Sequence, residues 1–162
     1  MDIEAQVKTA LDATGVEYEL LPCDPNFADT AAFCEKYGYT PEQSVNTIVV
    51  VGKVDPRVYV ACAVTAATRL DVNGAVRRRL GVKKASFASA DETRELTGMM
   101  ISGVTALALP EGLALWVDAA VMDQERVILG GGSRSMKVLV TPHVFDRLPN
   151  TEVVDSLANP IA

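Results

Sequence analysis

The segments Gly98-Met-Met-Ile-Ser-Gly103-Val-Thr-Ala-Leu107 and Arg126-Val-Ile-Leu-Gly-Gly-Gly-Ser-Arg-Ser-Met-Lys-Val-Leu-Val140 decide the fold of this chain. Each places a glycine-rich turn beside a short apolar run, and a third apolar run, residues 113–117, lies between them and ends at Asp118. Glycine lets the main chain approach a ligand closely, and these turns also carry hydroxyl groups, an arginine and backbone N–H groups. The pattern predicts short buried strands whose turns form a compact pocket for a polar ligand.

The other apolar runs predict a sheet around this segment. Residues 45–51 are the run richest in β-forming residues, and Gly52-Lys-Val-Asp-Pro56 turns it back into residues 57–64, which predicts a hairpin. Further strands are expected at residues 16–21, 104–109, 113–117, 126–130 and 136–140. Because most of the connections are too short for parallel crossovers, we predict an α+β fold with a mixed, largely antiparallel and curled central sheet flanked by short helices.

Helices are expected where a capping residue precedes a helical periodicity. Asp2 and Gly15 bound the first helix, and Ser89-Ala-Asp-Glu92 is a capping box for another, which Gly98 closes. The remaining helix signals lie at residues 30–37, at Thr40-Pro-Glu-Gln43, between Asp71 and Gly81, and after Thr141-Pro142. Since the chain has no repeats, low-complexity segments or linker, we expect residues 1–162 to form one domain.

Composition narrows the class of protein. Of 162 residues 49% are hydrophobic, and the longest apolar run is broken by Pro110 and Glu111, short of the roughly 18 residues that span a membrane, so no membrane partner is expected. Three cysteines without metal-ligand spacing, together with the early acid Asp2 where a signal peptide would be apolar, predict a cytoplasmic protein. The single histidine, His143, leaves little material for a metal site or a catalytic triad, and we expect no metal and no cofactor.

The charge distribution is uneven. A formal net charge of −6 argues against a general nucleic-acid binder, which needs a basic face, so no DNA partner is expected. Between positions 69 and 84, however, a single acid stands against six basic residues, which are Arg69, Arg77, Arg78, Arg79, Lys83 and Lys84. The sequence leaves two interpretations open for this region, a solvated helix face and a contact patch for an RNA backbone.

Six short motifs follow one another over about ninety residues: Asn46-Thr-Ile-Val49, Arg69-Leu-Asp71, Thr97-Gly98, Ser102-Gly103-Val-Thr-Ala106, Val117-Asp118 and Gly132-Ser-Arg134. In order and spacing they resemble the YbaK/ProX family of aminoacyl-tRNA deacylases, the stand-alone editing domains, and the resemblance extends over nearly the whole chain. It implies a hydrolase that cleaves the ester between an amino acid and the terminal ribose of a mischarged tRNA. The amino acid that it implies is small, such as Ala, Cys, Ser or Pro.

Two positions depart from the pattern of that family. The lysine that leads the central strand in the family is Asn46 here, and the proline of the glycine loop is Ala106. The family lysine is the residue most associated with activity, and asparagine supplies hydrogen bonds but no positive charge. An alternative hypothesis is therefore a non-catalytic or repurposed member that binds an aminoacyl-adenosine or another small polar ligand. A third is an interaction module that docks on a tRNA synthetase.

The resemblance implies a site of main-chain groups and a few side chains, because an aminoacyl ester is already activated and needs mainly positioning and oxyanion donors. The catalytic candidates are Asn46, Gly103 and Thr105. The substrate-binding candidates are Thr47, Arg69, Ser102, Val104, Asp118, Gly131, Gly132, Ser133 and Arg134. The candidates for contacting the tRNA backbone are Arg77, Arg78, Arg79, Lys83 and Lys84.

Each candidate also has a purely structural interpretation. The Gly103 loop is alternatively an ordinary turn, residues 130–135 a hairpin turn, Asp118 a cap, and Asn46 an edge or turn asparagine. Arg69 is the candidate for replacing the missing charge of the family lysine. The partner implied by the resemblance is the acceptor end of an aminoacyl-tRNA, and the sequence leaves open whether an aminoacyl-tRNA synthetase delivers it.

Overall fold

The structure, a computed structural model, describes residues 2–100 and 104–161. Its α-helices are α1 (Ile3–Thr14), α2 (Thr30–Tyr37), α3 (Arg77–Leu80) and α4 (Ala90–Thr97). Its strands are β1 (Tyr18–Pro22), β2 (Val45–Gly52), β3 (Val58–Thr65), β4 (Thr68–Leu70), β5 (Ala85–Phe87), β6 (Ala114–Asp118), β7 (Val127–Gly130), β8 (Met136–Val140), β9 (Thr151–Val154) and β10 (Ala158–Pro160). Short 3-10 helices cover Pro25–Phe27, Ala106–Ala108, Ala119–Asp123 and Pro142–Arg147, and a π-helical turn covers Val72–Val76. In this part of the chain no helix is both long and apolar enough to cross a membrane.

The described strands form a five-stranded, a three-stranded and a two-stranded sheet. The first has the order β5-β2-β3-β6-β9, in which β6 runs parallel to both β3 and β9 while the other pairs are antiparallel. The second, β1-β8-β7, is antiparallel, as is the small sheet β10-β4. Ser44, just before β2, bridges to Ile128 of β7, and the Ile128 N–H donates to the carbonyl of Gln43 at 2.8 Å. The two larger sheets therefore meet along one edge.

Alternation along the strands separates the buried side chains into three clusters. In β3, Ala63 faces the core shared by the two larger sheets and α1, whereas Cys62 faces the opposite side, toward the Val72–Val76 turn. In β8, Val138 faces the shared core, whereas Leu139 belongs to a small cluster beneath α2. Because side chains alternate across a strand, α2 covers the outer face of the three-stranded sheet.

The side-chain caps predicted from the sequence at the first helix and at the helix after Ser89 are present, whereas the predicted cap Asp29 makes no side-chain cap hydrogen bond at α2. The Asp2 carboxylate accepts a hydrogen bond from the Ala5 N–H at 2.8 Å, and Gly15 ends α1 in the left-handed conformation, with φ of 72°. At α4, Ser89 and Glu92 form the full capping box. The hydrogen bond from the Ser89 backbone N–H is the main cause that lowers the pKa of Glu92. The α+β class, the mixed and mostly antiparallel sheet and the central hairpin are likewise confirmed.

Several local predictions were wrong. Residues 104–109 do not form a strand, because Ala106 and Leu107 reach the shared core from a 3-10 turn without pairing to a sheet. The segment at Thr40 makes capping-box hydrogen bonds with Gln43 but forms only a single turn before Ser44 pairs with β7. The helix predicted after Thr141-Pro142 is a 3-10 helix. The strands that the sequence did not reveal, β4, β5, β9 and β10, have only three or four residues each.

Candidate functional site

A cleft of about 360 Å³ opens where the start of β2, the first turn of α2 and the end of β7 meet. Its lining combines the polar side chains of Thr30, Asn46, Thr47 and Lys137 with the apolar side chains of Phe33 and Ile128. A volume of this size lies within the range of small-molecule sites, which are mostly apolar pockets with a few polar groups that set the orientation of the ligand. Of the residues proposed from the sequence, Asn46, Thr47 and Val104 lie in this cleft.

Asn46 is held by α2. Its side-chain oxygen Oδ1 accepts a hydrogen bond from the Thr30 hydroxyl at 2.7 Å. The asparagine amide has two further donors on Nδ2, and they make no hydrogen bond with any described residue. Because the acceptor end of the amide is occupied, Asn46 presents N–H donors to the cleft. Thr30 orients it and was not among the candidates from the sequence.

Lys137 is the second polar group that sequence reasoning missed. It occupies the middle of β8, paired with Leu21 of β1 and with Gly130 of β7, and only 7% of its surface is exposed. Its ammonium group lies over the ring of Phe33, with Nζ 5.7 Å from the ring centroid. Burial is the main cause that lowers the pKa of Lys137. The sequence pattern that could have identified Lys137 as a site residue is a lysine within the apolar run Met-Lys-Val-Leu-Val of a predicted buried strand.

The glycine-rich turn between β7 and β8 lies outside the cleft, except for Gly130 at its start. Gly132 has a φ of 90° and packs on α1, where a Cβ atom would lie 2.5 Å from Ile3 Cγ1. The Ser133 hydroxyl donates to the Glu4 carboxylate. The buried Gly131 donates its N–H to the Met136 carbonyl at 3.1 Å. Gly131 therefore closes the β7–β8 turn, whereas Gly132 and Ser133 attach the turn to α1.

Arg134 links this turn to the segment that leads into α2. Its guanidinium donates to the Pro25 carbonyl, at 2.8 Å from Nη2 and 3.2 Å from Nε, and Nη1 lies 3.3 Å from the Asp29 carboxylate. Asp29, the N-cap residue of α2, makes no side-chain cap hydrogen bond. The arginine therefore stabilises one wall of the cleft from outside.

The other predicted substrate contacts are dispersed. Thr105 is fully buried and its hydroxyl caps the Ala106–Ala108 turn, accepting from the Leu107 N–H at 3.2 Å. Asp118 is buried at the end of β6, where its carboxylate accepts from the Leu157 N–H at 2.9 Å. Arg69 lines a different groove, beside β10. Ser102 and Gly103 lie outside the described residues.

The basic residues follow the Val72–Val76 turn. Arg78, Lys83 and Lys84 are exposed, whereas Arg79 pairs with the Glu152 carboxylate and its guanidinium lies 5.0 Å from the Trp116 ring centroid. Arg77 is half-buried, with Nε donating to the Asn73 carbonyl at 2.7 Å.

β5 links this basic region to the cleft. It begins directly after Lys84 and ends at Phe87, an exposed aromatic ring that borders both the cleft and the groove of Arg69. A continuous path of three residues therefore leads from the basic region to the mouth of the cleft.

Two findings limit the chemistry that the described residues can perform. Burial raises the pKa of the Cys62 thiol to about 12, so this cysteine stays protonated in the core and is a poor nucleophile. Within residues 2–100 and 104–161, no three His, Cys, Asp or Glu side chains group closely enough to hold a metal ion. The cleft itself offers amide and hydroxyl donors, one ammonium group and, at its edge, the Asp29 carboxylate that pairs with Arg134.

Comparison with known proteins places the chain in a family. The family model of the aminoacyl-tRNA editing domain matches residues 24–148. A crystal structure of a candidate trans-editing enzyme for prolyl tRNA synthetase has a TM-score of 0.83 at 23% sequence identity, with 99% of each chain covered. A crystal structure of a hypothetical protein has a TM-score of 0.84 at 24% identity, covering 95% of this chain and 99% of the other. At these identities the two structures show a shared fold.

Proposed function

The chain belongs to the aminoacyl-tRNA editing domain family, and we propose that it is a stand-alone deacylase that hydrolyses the ester of a mischarged tRNA carrying a small amino acid. The whole chain, residues 1–162, acts as one domain in this proposal. The observation that supports it best is the position of the cleft at the start of β2, where Asn46 lies in place of the lysine that leads the family's strand. The solved trans-editing candidate of the same fold supports a role outside a synthetase chain.

In this proposal the cleft binds the terminal adenosine and the amino acid attached to it. The Nδ2 donors of Asn46 and the hydroxyl of Thr47 contact the ribose or the ester carbonyl, and Thr30 keeps the Asn46 amide in that orientation. Water attacks the carbonyl carbon, the bond to the ribose oxygen breaks, and the ribose oxygen takes up the proton from water. Side-chain acid–base chemistry is not required, because fixed donors and a fixed ester supply much of the rate enhancement.

The size of the cleft supports a small amino acid. Its volume, about 360 Å³, lies near the lower limit of ordinary ligand sites, and part of it must hold the terminal adenosine. Phe33 and Ile128 line the cleft and are both almost fully buried in the cluster beneath α2. The cleft therefore cannot widen on this side without disturbing the packing of that cluster. Side chains of the size of Ala, Ser, Cys or Pro are therefore the proposed substrates.

The test is single-turnover deacylation of tRNAs charged with Ala, Ser, Cys and Pro, with a tRNA carrying Phe as the size control. We expect hydrolysis of at least one of the small esters and none of Phe-tRNA. Asn46→Ala should lower the rate at least tenfold, whereas Asn46→Lys, which restores the family residue, should retain or raise it. A wild-type protein that is inert on the whole panel would contradict the proposal.

A second candidate function has one specific observation in its favour. Asn46 replaces the family lysine, and a neutral amide supplies no charge for catalysis at this position of β2. The chain would then bind an aminoacyl-adenosine or a related polar ligand without turnover. A stable amide analogue of alanyl-adenosine separates the two functions, because thermal stabilisation by the analogue without ester hydrolysis would identify a binding protein.

A further inference from the structure

The cleft contains a buried ammonium group that forms no ion pair with any described residue. Lys137 is the one cationic side chain among the described lining residues, and it lies 93% buried on a strand that is otherwise apolar. Within the described chain its ammonium group makes neither a hydrogen bond nor an ion pair, and its direct contact is the face of Phe33. A buried charge without a partner is unfavourable, so such a residue is typical of a site that binds a ligand.

The groups around Lys137 do not remove this charge. Asp29, the acid that lines the cleft, is exposed and pairs with Arg134 at 3.3 Å. Besides that pair, the titratable groups that face Lys137 are the thiols of Cys23, which follows β1, and Cys34 on α2. Burial raises the pKa of the Cys23 thiol, which keeps it neutral. No described side chain pairs with the ammonium group, which leaves its N–H donors available to a group that enters the cleft.

We propose that Lys137 binds an anionic oxygen of the aminoacyl-tRNA end, supplying from β8 the charge that Asn46 does not supply from β2. This inference rests on the proposed deacylase function. Lys137 and Asn46 line the same cleft from adjoining sheets, whereas Arg69, the candidate from the sequence for this role, lies in another groove. The anionic oxygen has two possible sources, the phosphodiester of the terminal nucleotide and the oxyanion that develops at the ester carbonyl.

In both cases Lys137 donates a hydrogen bond and keeps its proton. If it binds the phosphodiester, it is a substrate-binding residue and its removal raises KM. If it binds the developing oxyanion, it is a catalytic residue and its removal lowers kcat, because the interaction strengthens only as negative charge forms. The contact is charge-assisted and enclosed, so either role carries a large effect.

The experiment compares Lys137→Met and Lys137→Arg with Lys36→Met in single-turnover deacylation of the best substrate from the panel. Lys36 is the matched control because it is an exposed lysine of α2 that also lies over an aromatic ring, that of Phe27. We expect Lys137→Met to lower kcat/KM at least thirtyfold, Lys137→Arg to retain part of the activity, and Lys36→Met to resemble the wild type. Circular dichroism and the Tm confirm that each variant is folded.

The pH profile separates a charge role from a packing role. Because burial lowers the pKa of Lys137, wild-type activity relative to Lys137→Arg should fall as pH rises through that lowered pKa, while the guanidinium stays charged. Asn46→Lys introduced into Lys137→Met should restore activity at least tenfold, because it returns a cation to the same cleft. A folded Lys137→Met variant with wild-type kcat/KM and an unchanged profile would overturn the inference and leave the deacylase function intact.

A binding measurement distinguishes a failure of the Lys137 inference from a failure of the proposed deacylase function. The probe is 3′-alanylamido-adenosine 5′-monophosphate, a stable amide, measured by calorimetry beside the same compound without its phosphate. A phosphate contact predicts that Lys137→Met weakens binding of the phosphorylated probe at least tenfold and leaves the other unchanged. An oxyanion contact predicts equal binding of both probes and a loss confined to kcat. An inert wild type that binds the probe equally with and without Lys137 would overturn both proposals.

Discussion

The hydrogen bond between Thr30 and Asn46 joins α2 to the first residues of β2 across the cleft. Its two partners are sixteen residues apart in the chain and both are half-buried, so the bond contributes to folding as well as to the site. A net contribution of about 1 kcal/mol is typical of such a bond. The same bond sets which end of the Asn46 amide faces the cleft.

We predict that Thr30→Val and Asn46→Ala are coupled. In a double-mutant cycle, the free energy of unfolding should show an interaction of about 1 kcal/mol, and the losses of activity should be less than additive. Urea denaturation and single-turnover rates measure the two effects. Thr40→Val, at the turn before β2, serves as the control, and additive behaviour of the Thr30 and Asn46 variants would show that the bond does not orient the amide.

Lys137 should lower stability while it supports activity. Replacing the unpaired buried ammonium by an apolar side chain in Lys137→Met should raise the free energy of unfolding at neutral pH by about 1 kcal/mol or more. The folded-state pKa is lowered, so the unfolded chain binds more protons, and wild-type stability should rise with pH up to about 10.5, the ordinary pKa of lysine. Denaturation at several pH values tests this, and a wild type that is always the more stable protein would contradict it.

At the scale of elements, α4 is an eight-residue helix that relies on its caps. Only Thr93 among its residues is buried, so packing contributes little, and the capping box of Ser89 and Glu92 satisfies N–H groups at its start. Ser89→Ala should lower the free energy of unfolding by about 1 kcal/mol in urea titration. Ser135→Ala is the control, since the exposed Ser135 hydroxyl makes no hydrogen bond within the described chain. Equal stability of the two variants would show that the cap is dispensable.

The capping box of α4 also makes the stability of the protein depend on pH. The Ser89 N–H holds the pKa of Glu92 below its usual value of 4.5, so the stabilisation by Glu92 is present above that pH and is lost as pH falls through the lowered pKa. Glu92→Gln should therefore reduce the acid dependence of stability between pH 4.5 and the lowered pKa. Thermal denaturation over this range measures it, and curves of the same shape for wild type and variant would count against the assignment.

The element that carries the basic region is the turn and short helix before β5. If its exposed side chains contact tRNA phosphates, Arg78→Glu with Lys83→Glu should raise KM several-fold, leave kcat nearly unchanged and reduce the salt dependence of kcat/KM. Lys8→Glu with Lys36→Glu makes the same change of charge at exposed residues of α1 and α2 and is the control. Equal salt dependence in both double variants would identify the region as a solvated surface.

At the scale of the whole molecule, the cleft exists because two sheets meet at one edge. The contact is made by main chain, through the bridge of Ser44 to Ile128 and the hydrogen bond from the Ile128 N–H to Gln43. We predict that the Ile128 amide exchanges with deuterium only through global unfolding, unlike the amides of the exposed turn at residues 53–57. Native-state hydrogen exchange measures this, and exchange of Ile128 at low denaturant would show that the cleft opens without unfolding.

Much of the fold was predictable because it follows from local rules. The hairpin of β2 and β3, the caps Asp2 and Ser89 and the strand β8 were each indicated by a pattern within a few residues. The four short strands were not, because three or four residues carry too little periodicity and owe their pairing to distant partners. The strand wrongly predicted at residues 104–109 has a different origin, because its apolar residues are buried in the core shared by the sheets and α1 without pairing to a strand.

By itself the sequence determined the family, the α+β class and the position of Asn46 at the start of the central strand, because these depend on residue identity and order. Only the tertiary structure decided which polar groups share the cleft. It brought Thr30 and Lys137 beside Asn46 and left Arg69, Asp118 and Arg134 outside the cleft. The physical reason is that the surroundings of a lysine on a buried strand depend on the element that packs against its side of the sheet. Here the cover is α2, and its placement depends on contacts between residues far apart in the chain.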